Sequence, residues 1–177
     1  DGLKKFNAPI VVKADGLAAG KGVLICETIK EAEEAIKSIM DDKQFGDAGN
    51  TVVIEEFLQG TESSLLCFVD GKRIIPMESA RDYKKAYDND RGLNTGGMGC
   101  FSPNPIYTEE LKKYIKDNIL DRTLNGFLSE NIDFKGVLFI GLMIENNQAK
   151  VLEYNTRFGD PETEVILPRL KSDLVDV

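Results

Sequence analysis

The sequence predicts an α+β fold in which strands pair as hairpins and amphipathic helices pack on the sheets. Runs of β-branched and apolar residues recur between turn-forming pairs such as Asp70-Gly71, as in strands joined by tight turns. Apolar residues at helical spacing follow Thr28 and Thr108, two side chains that suit helix N-caps. An apolar fraction of 42% in 177 residues is enough to bury a core.

The first part of the chain is predicted to form a sheet covered by one helix. Its strands are expected at 9–13, 23–26 and 51–58. Glu31 follows Thr28 by three residues, which is a capping-box signature, and apolar side chains recur at helical spacing as far as Met40. We therefore expect a helix after Thr28 that packs on this sheet.

The remainder is predicted to contain two hairpins, formed by 65–69 with 73–76 and by 137–144 with 149–155. A helix is expected to begin after Thr108 and to extend to Leu128. The stretch 79–105 shows no sustained periodicity. Irregular connections of that length are uncommon in compact domains unless they have a function.

Charge and hydropathy restrict the partners of the chain. A net charge of -8 argues against nucleic acid or an anionic membrane surface, because both require a cationic face. No apolar run is long enough to span a membrane. The three cysteines form no paired motif, which favours the reducing cytoplasm over a disulfide framework. The first residues resemble neither a signal peptide nor a translation start, so we expect the N-terminus to be a cut.

The chain contains no histidine. This excludes Ser-His-Asp and Cys-His nucleophilic catalysis, imidazole-ligated zinc and a histidine proton shuttle. Chemistry is therefore expected to depend on carboxylates, lysine, arginine, backbone amides and a bound metal.

A metal and anion site is predicted where the last strand ends. Glu153 and Asn155 share one strand face, and a carboxylate with an amide oxygen suits a hard cation such as Mg²⁺. Arg157 follows within two residues and can hold a phosphate or carboxylate through two hydrogen bonds. For Glu153 and Asn155 alone, a strand end with a solvated acidic turn is the alternative.

A glycine-rich turn between the first two strands raises the question of phosphate binding. Gly16, Gly20 and Gly22 let backbone N–H groups approach an anion, and Lys13 and Lys21 supply charge. The spacing differs from that of a P-loop, and a strand rather than a helix follows. A flap that closes over a nucleotide and a plain hairpin turn both fit this pattern.

Four segments resemble the glycinamide ribonucleotide synthetases, also called phosphoribosylamine-glycine ligases, which are ATP-grasp enzymes of purine biosynthesis. In chain order these segments are Val11–Val23, Val53–Leu58, Asn94–Gly99 and Arg157–Thr163. The resemblance implies an ATP-grasp fold with two α+β subdomains that sandwich a nucleotide. Residues 1–59 would carry the flap and an adenine hinge, and residues 60–177 the metal and substrate sites of a second subdomain truncated at its C-terminus.

The resemblance also implies an activity. Enzymes of this family join glycine to 5-phosphoribosylamine through a glycyl phosphate, giving glycinamide ribonucleotide, ADP and phosphate. The chain would then belong to an ATP-dependent carbon-nitrogen ligase that uses ATP with Mg²⁺ or Mn²⁺. The family enzyme has further N- and C-terminal domains, so we expect these as missing parts of the same polypeptide and an inactive isolated fragment.

Individual roles follow from the same resemblance. Lys13 would reach the ATP phosphates and Arg157 would stabilise the transferring phosphoryl group, so both are predicted to be catalytic. Glu153 and Asn155 would hold the metal. The nucleotide would be bound by the flap, the hinge and a residue on the ribose, which are Gly16, Gly20, Lys21, Gly22, Glu55, Glu56, Phe57, Leu58 and Glu62.

The resemblance also implies an acceptor pocket, formed by Asp82, Lys84, Thr95, Gly96, Gly97, Arg157 and Asp160. Two departures from the family pattern affect this region, because Tyr83 stands where histidine is usual and Thr61 where glutamate is usual. An exposed surface pair is the alternative for Asp82 and Lys84.

Two other functions remain open from the sequence. Another ATP-grasp carboxylate-amine ligase would share the hinge, flap and metal strand but should lack the motifs at 94–99 and 157–162. A non-catalytic ATP-binding module could keep Lys13 and the flap while losing the metal ligands.

Overall fold

The computed structural model describes residues 2–18, 22–88, 91–95 and 97–177. The chain divides into two compact units, Asp1–Leu58 and Gln59–Val177. The functions predicted for the two halves remain predictions. Three predicted site residues lie outside the described ranges, namely Gly20, Lys21 and Gly96.

The first unit is an antiparallel sheet with strand order β2-β1-β3, covered on one face by a helix. Its elements are β1 (Ile10–Ala14), β2 (Val23–Cys26), α1 (Ile29–Met40) and β3 (Val52–Glu56). Ile10 and Val12 of β1 are fully buried against Ala32 and Ile39 of α1. The predicted strands and helix of this part are therefore confirmed.

The N-terminus of α1 has the predicted cap. Thr28 Oγ1 accepts a hydrogen bond of 3.1 Å from the backbone N–H of Glu31. The Glu31 carboxylate in turn accepts one of 2.8 Å from the backbone N–H of Glu27. The two bonds satisfy donors that a helix start leaves unpaired.

The second unit contains, in chain order, β4 (Thr61–Asp70), β5 (Ile74–Pro76), β6 (Arg81–Asp82), β7 (Lys85–Tyr87), β8 (Arg91–Asn94), β9 (Cys100–Phe101), α2 (Glu109–Ile115), α3 (Asp121–Ser129), β10 (Lys135–Glu145), β11 (Gln148–Asn155) and α4 (Glu162–Ile166). Its main sheet is antiparallel with strand order β11-β10-β4-β5. Short ladders join β6 to β9 and β7 to β8.

The two faces of the main sheet bury different partners. One face packs its apolar side chains, including Cys67, Ile140 and Leu142, against Leu111 and Ile115 of α2. We call this the helix face. The opposite face packs Leu66 and Phe139 against Ile166 of α4 and neighbouring segments. We call this the α4 face, and it carries the polar residues of the candidate site.

Two parts of the second unit differ from the sequence prediction. The helix predicted from Thr108 to Leu128 is interrupted by a π-helical segment, Lys116–Leu120, between α2 and α3. The buried residues before and within this segment, Leu111, Ile115 and Ile119, follow one another at ordinary helical spacing, so the sequence pattern does not reveal it. The irregular stretch 79–105 contains the short strands β6 to β9, which are too brief to show alternation. No helix within the described ranges could cross a membrane.

Candidate functional site

The sheet face of the first unit that lies opposite α1 carries an ion pair on an open apolar surface. Lys13 Nζ lies 2.5 Å from the Glu55 carboxylate, and the two residues occupy neighbouring strands. Val23, Ile25 and Val53 are partly exposed around them, by 49%, 50% and 38%. Exposed branched side chains beside a fixed cation can contact a planar base and a phosphate chain.

Two glycines of the predicted flap have packing roles. A Cβ on Gly16 would lie 2.6 Å from Ala48 Cα, and the backbone N–H of Gly16 donates to the Ala48 carbonyl at 3.0 Å. A Cβ on Gly22 would lie 2.6 Å from Ala18 Cβ, and Gly22 is buried. Both glycines therefore allow close backbone packing at the base of the turn, and their contact with phosphate remains a prediction.

The orientation of Glu153 and Asn155 depends on a β-bulge. In the pairing of β10 with β11, Leu142 is opposite Val151 and Gly141 is opposite Glu153, so Leu152 is the extra residue. Val151 packs on the helix face. Without the extra residue, alternation would turn Glu153 and Asn155 to the helix face as well. The bulge instead directs both side chains to the α4 face.

Close packing and hydrogen bonding hold the Glu153 and Asn155 pair. A Cβ on Gly141 would lie 3.2 Å from Glu153 Cγ, so the absence of a side chain there gives Glu153 room. The Asn155 amide donates to Glu153 Oε1 at 3.2 Å. On the other side of β11, the Tyr154 hydroxyl lies 2.8 Å from the Thr123 hydroxyl of α3.

These two oxygen donors fit a divalent cation that also binds a nucleotide. Within the part of the chain that the structure describes, no group of three or more acidic or thiol side chains could hold a metal ion by itself. Mg²⁺ typically binds through one or two protein carboxylate or amide oxygens and completes its shell with phosphates and water. These two side chains alone therefore supply too few ligands for a resident structural metal, and their role as metal ligands remains a prediction.

Arg157 and Asp160 lie in the loop that leaves β11 and enters α4. Both are exposed, and Arg157 Nη1 donates to the carbonyl oxygen of Phe158 at 2.8 Å. The loop closes onto α4 because the backbone N–H and hydroxyl of Thr163 both donate to the carbonyl of Gly159. Among the residues that the structure describes, Arg157 forms no ion pair, so turning its guanidinium toward an anion would break only the hydrogen bond to the Phe158 carbonyl.

The segments around Asp82 and Thr95 are joined by hydrogen bonds. The carbonyl of Lys84 accepts from the backbone N–H of Thr95 at 2.6 Å and from its hydroxyl at 2.8 Å. The Thr95 hydroxyl also accepts from the backbone N–H of Gly97 at 3.1 Å. Lys84 Nζ lies 3.8 Å from the Glu62 carboxylate of β4. The structure thus brings Glu62, Lys84, Thr95 and Gly97 together.

Three predicted motifs meet at Gly97. A Cβ at this position would lie 3.0 Å from Asp82 Oδ1 and 3.0 Å from Cδ of Pro161. Gly97 also has φ +122, a backbone conformation that other residues rarely adopt. Only glycine allows the loop to lie between Asp82 and the segment that contains Asp160.

The Asp82 carboxylate has an unusual electrostatic environment. Its pKa is raised to about 6, first by burial, then by the nearby Glu162 carboxylate and less by Glu62 and Asp160, while Lys84 opposes the shift. Cys100 is paired with Asp82 across β6 and β9, and burial with the charges of Glu162 and Asp82 raises its pKa to about 11. The site therefore has a local excess of negative charge.

The sequence did not indicate that the Glu162 side chain would be buried. Its side chain is only 2% exposed, and its Oε1 accepts a 2.7 Å hydrogen bond from the buried Ser64 hydroxyl. It therefore lies beneath the loop as an anchor and does not line a surface. Ser63 and Ser64, two polar residues inside an apolar strand, are the signal that could have indicated a buried polar partner.

The fold and these motifs define a protein of the ATP-grasp class. Residues 2–163 match the family model of the phosphoribosylglycinamide synthetase ATP-grasp (A) domain, and the chain belongs to this family. The ATP-grasp fold that the sequence predicted is confirmed.

Individual relatives agree with this family. The chain is 54% identical to a phosphoribosylamine–glycine ligase of Clostridium acetobutylicum over 99% of its length and 42% of that protein. It is 54% identical to a trifunctional purine biosynthetic protein of Bos taurus, covering 95% of this chain and 17% of that one. The crystal structure of a phosphoribosylamine–glycine ligase from Thermotoga maritima superposes with a TM-score of 0.79 at 41% identity, covering 94% of this chain and 42% of the other.

Proposed function

We propose that the chain is the nucleotide-binding part of an ATP-dependent ligase that joins glycine to 5-phosphoribosylamine in the cytoplasm. The observation that carries this proposal is the meeting of Asp82, Gly97 and Pro161, because it joins the two family-specific motifs in one place. Glu153 and Asn155 lie a few residues before Pro161, on the α4 face. A phosphate-binding and an acceptor-binding region would thus be contiguous.

In this proposal the first unit binds the nucleotide. Lys13, held by Glu55, neutralises phosphate charge, and the open apolar face around Val23 and Ile25 contacts the adenine. The backbone of the segment 55–58 offers hydrogen bonds to the base edge. Glu62 of the second unit binds the ribose hydroxyls, and Lys84 restrains its carboxylate.

The second unit positions the reacting groups. Glu153 and Asn155 would hold Mg²⁺ or Mn²⁺, which when bound would neutralise phosphate charge. Arg157 holds the transferring phosphoryl group as the glycine carboxylate oxygen attacks the γ-phosphorus and ADP leaves. Gly97, Pro161 and their neighbours exclude water from the glycyl phosphate, which would otherwise hydrolyse.

The chain spans 42% of the length of the Clostridium acetobutylicum relative. We therefore propose that further N- and C-terminal domains of the same polypeptide complete the site, and that the isolated chain does not turn over. The proposal applies to the complete protein.

ADP release by the complete protein tests this function. We expect release to require both glycine and 5-phosphoribosylamine, with β-alanine and ribose 5-phosphate as the matched inactive analogues. Arg157→Gln should lower kcat by more than about a hundredfold. The control Arg73→Gln, which removes an exposed arginine paired with Asp70, should have no effect. ADP release driven by a different carboxylate would instead favour another ATP-grasp ligase.

A further inference from the structure

One carboxylate oxygen in the candidate site accepts no hydrogen bond from the part of the chain that the structure describes. Among the described residues, Asp82 Oδ1 and Ser102 Oγ are the buried side-chain oxygen atoms that lack one. An unpaired carboxylate oxygen is the more costly of the two, because a charged group loses more solvation on burial than a hydroxyl. A buried polar atom without a partner is rare in folded proteins and calls for a functional explanation.

The Asp82 side chain is surrounded mainly by other acidic side chains. Among the described residues, the titratable or charged groups that face it are Glu62 of β4, Lys84 after β6, Cys100 of β9, Asp160 of the loop and Glu162 of α4. Three of these are carboxylates, and Lys84 is the cation among them. Gly97 and Pro161 cover Oδ1 from the loop side.

We propose, on the basis of the function proposed above, that the Asp82 carboxylate accepts the proton that the amine loses when the amide forms. The amine nitrogen attacks the carbonyl carbon of the glycyl phosphate, so that a C–N bond forms and the C–O bond to phosphate breaks. Phosphate leaves with that electron pair. The proton passes from nitrogen to Asp82 and then to phosphate, which departs as hydrogen phosphate.

The other nearby carboxylates suit this task less well. Glu162 is almost fully buried, and one of its oxygens is engaged by Ser64. The Glu62 carboxylate already has a cationic partner, because Lys84 Nζ lies 3.8 Å from its Oε2. Asp160 is exposed, so water solvates its charge. Asp82 combines partial burial with an Oδ1 to which no described residue donates, and both conditions keep a carboxylate basic.

Glu162 is the positioning residue of this arrangement. It touches no reacting atom, and it acts by placing a negative charge near Asp82 from a fixed position beneath the loop. The resulting pKa of Asp82, about 6, leaves the group ionised at neutral pH but able to hold a proton. The amide-forming step should therefore slow as the pH falls through about 6.

The two half-reactions can be measured separately in the complete protein. Transfer of the phosphoryl group is followed by scrambling of oxygen-18 from the β,γ-bridge of ATP, with glycine and ribose 5-phosphate, which lacks the amine. Amide formation is followed with 5-phosphoribosylamine. We expect Asp82→Asn to lower amide formation by about 100-fold or more and to change scrambling by less than about threefold. Equal losses in both assays, or an unchanged rate of amide formation, would overturn the proposal.

A pH profile provides a second, independent test. Glu162→Gln should move the acidic limb of amide formation to lower pH, because removal of a nearby negative charge lowers the pKa of Asp82. Glu164→Gln is the matched control, since it removes an exposed charge from the same helix and should leave the limb unchanged. An acidic limb that does not move in Glu162→Gln would count against Asp82 as the titrating group.

Measurements on the unsubstituted protein distinguish a failure of the proposed ligase function from a failure of the role proposed for Asp82. Scrambling that depends on glycine supports the proposed ligase function whatever the behaviour of Asp82. If scrambling is absent from the unsubstituted protein, the proposed function fails and the role of Asp82 falls with it. Scrambling that is present, together with amide formation insensitive to Asp82→Asn, overturns only the role of Asp82.

Discussion

Gly159→Ala should destabilise the chain although Gly159 is not one of the glycines that adopt positive φ. A Cβ at this position would overlap Glu162 Oε2 and would lie 2.9 Å from Cε2 of Phe139. Neither neighbour can move freely. Ser64 holds the Glu162 carboxylate at 2.7 Å, and Phe139 is 5% exposed in the core beneath α4.

The size of the effect follows from these two contacts. Overpacking a close-packed core typically costs 1–3 kcal/mol, and displacing Glu162 from Ser64 would weaken a buried hydrogen bond for roughly 1–3 kcal/mol more. We expect a loss of about 3 kcal/mol in the free energy of unfolding. Gly126→Ala is the matched control, because among the described residues no atom outside the backbone of its own helix, α3, lies within 4 Å of its Cβ position. That change should stabilise the chain by about 0.5–1 kcal/mol.

Equilibrium urea unfolding, followed by circular dichroism, measures both changes. The double variant Gly159→Ala with Glu162→Ala should recover part of the loss relative to the sum of the single variants, since it removes one of the overlapping atoms. A Gly159→Ala variant as stable as Gly126→Ala, or additive effects of the changes at 159 and 162, would show that the predicted overlap with Glu162 does not exist.

Three further predictions concern the core, the buried acid and the metal pair. Leu138→Ala should cost about 3 kcal/mol in urea unfolding because Leu138 is 2% exposed in the helix-face core, whereas exposed Leu128→Ala should cost under about 1 kcal/mol. Asp82→Asn should raise the free energy of unfolding by about 1 kcal/mol at pH 7.5, a value reduced to allow for solvent screening of the partly buried carboxylate. Below about pH 4 it should leave the free energy of unfolding unchanged. The raised pKa of Asp82 penalises only its ionised folded form, so a difference that persists at low pH would contradict this cause. Glu153→Ala should weaken Mg²⁺-dependent ATP binding by roughly 10–100-fold in titration calorimetry while leaving metal-free binding unchanged, and equal losses under both conditions would exclude a metal role.

Local sequence signals predicted the parts of the fold that depend on neighbouring residues. The caps at Thr28 and Thr108 form as expected, each accepting a backbone hydrogen bond of 3.1 Å. Asn146 and Asn147 both adopt positive φ in the turn between β10 and β11, which their short polar side chains tolerate. In these cases the cause lies within four residues of its effect.

Features that depend on distant residues were not predictable in the same way. The burial of Glu162 is set by Ser64, which lies 98 residues earlier in the chain. Gly16 lies close to Ala48, and Gly97 lies close to Asp82. The spacing of residues along the chain does not predict either contact. The sequence therefore identified the segments of the site, while their mutual arrangement required tertiary structure.

The departure from the family pattern at Tyr83 has a simple structural explanation. Alternation within β6 turns Arg81 away from Asp82, and the ring of Tyr83, which follows the strand, packs against Arg81. The Arg81 guanidinium lies 5.2 Å from the centre of the Tyr83 ring, which in turn lies 5.5 Å from the Phe101 ring. An aromatic residue can therefore replace histidine at this position without altering the face that carries Asp82.

The extra residue at Leu152 makes strand length a stricter requirement than residue identity. A conservative substitution of Leu152 leaves the count from Gln148 to Asn155 unchanged, so the polar pair keeps its orientation. Deletion of the same residue would turn Glu153 and Asn155 from the α4 face to the helix face. The Glu153 carboxylate would then enter the apolar core under α3. We therefore expect natural variants of this strand to differ in sequence at position 152 but not to lose a residue there.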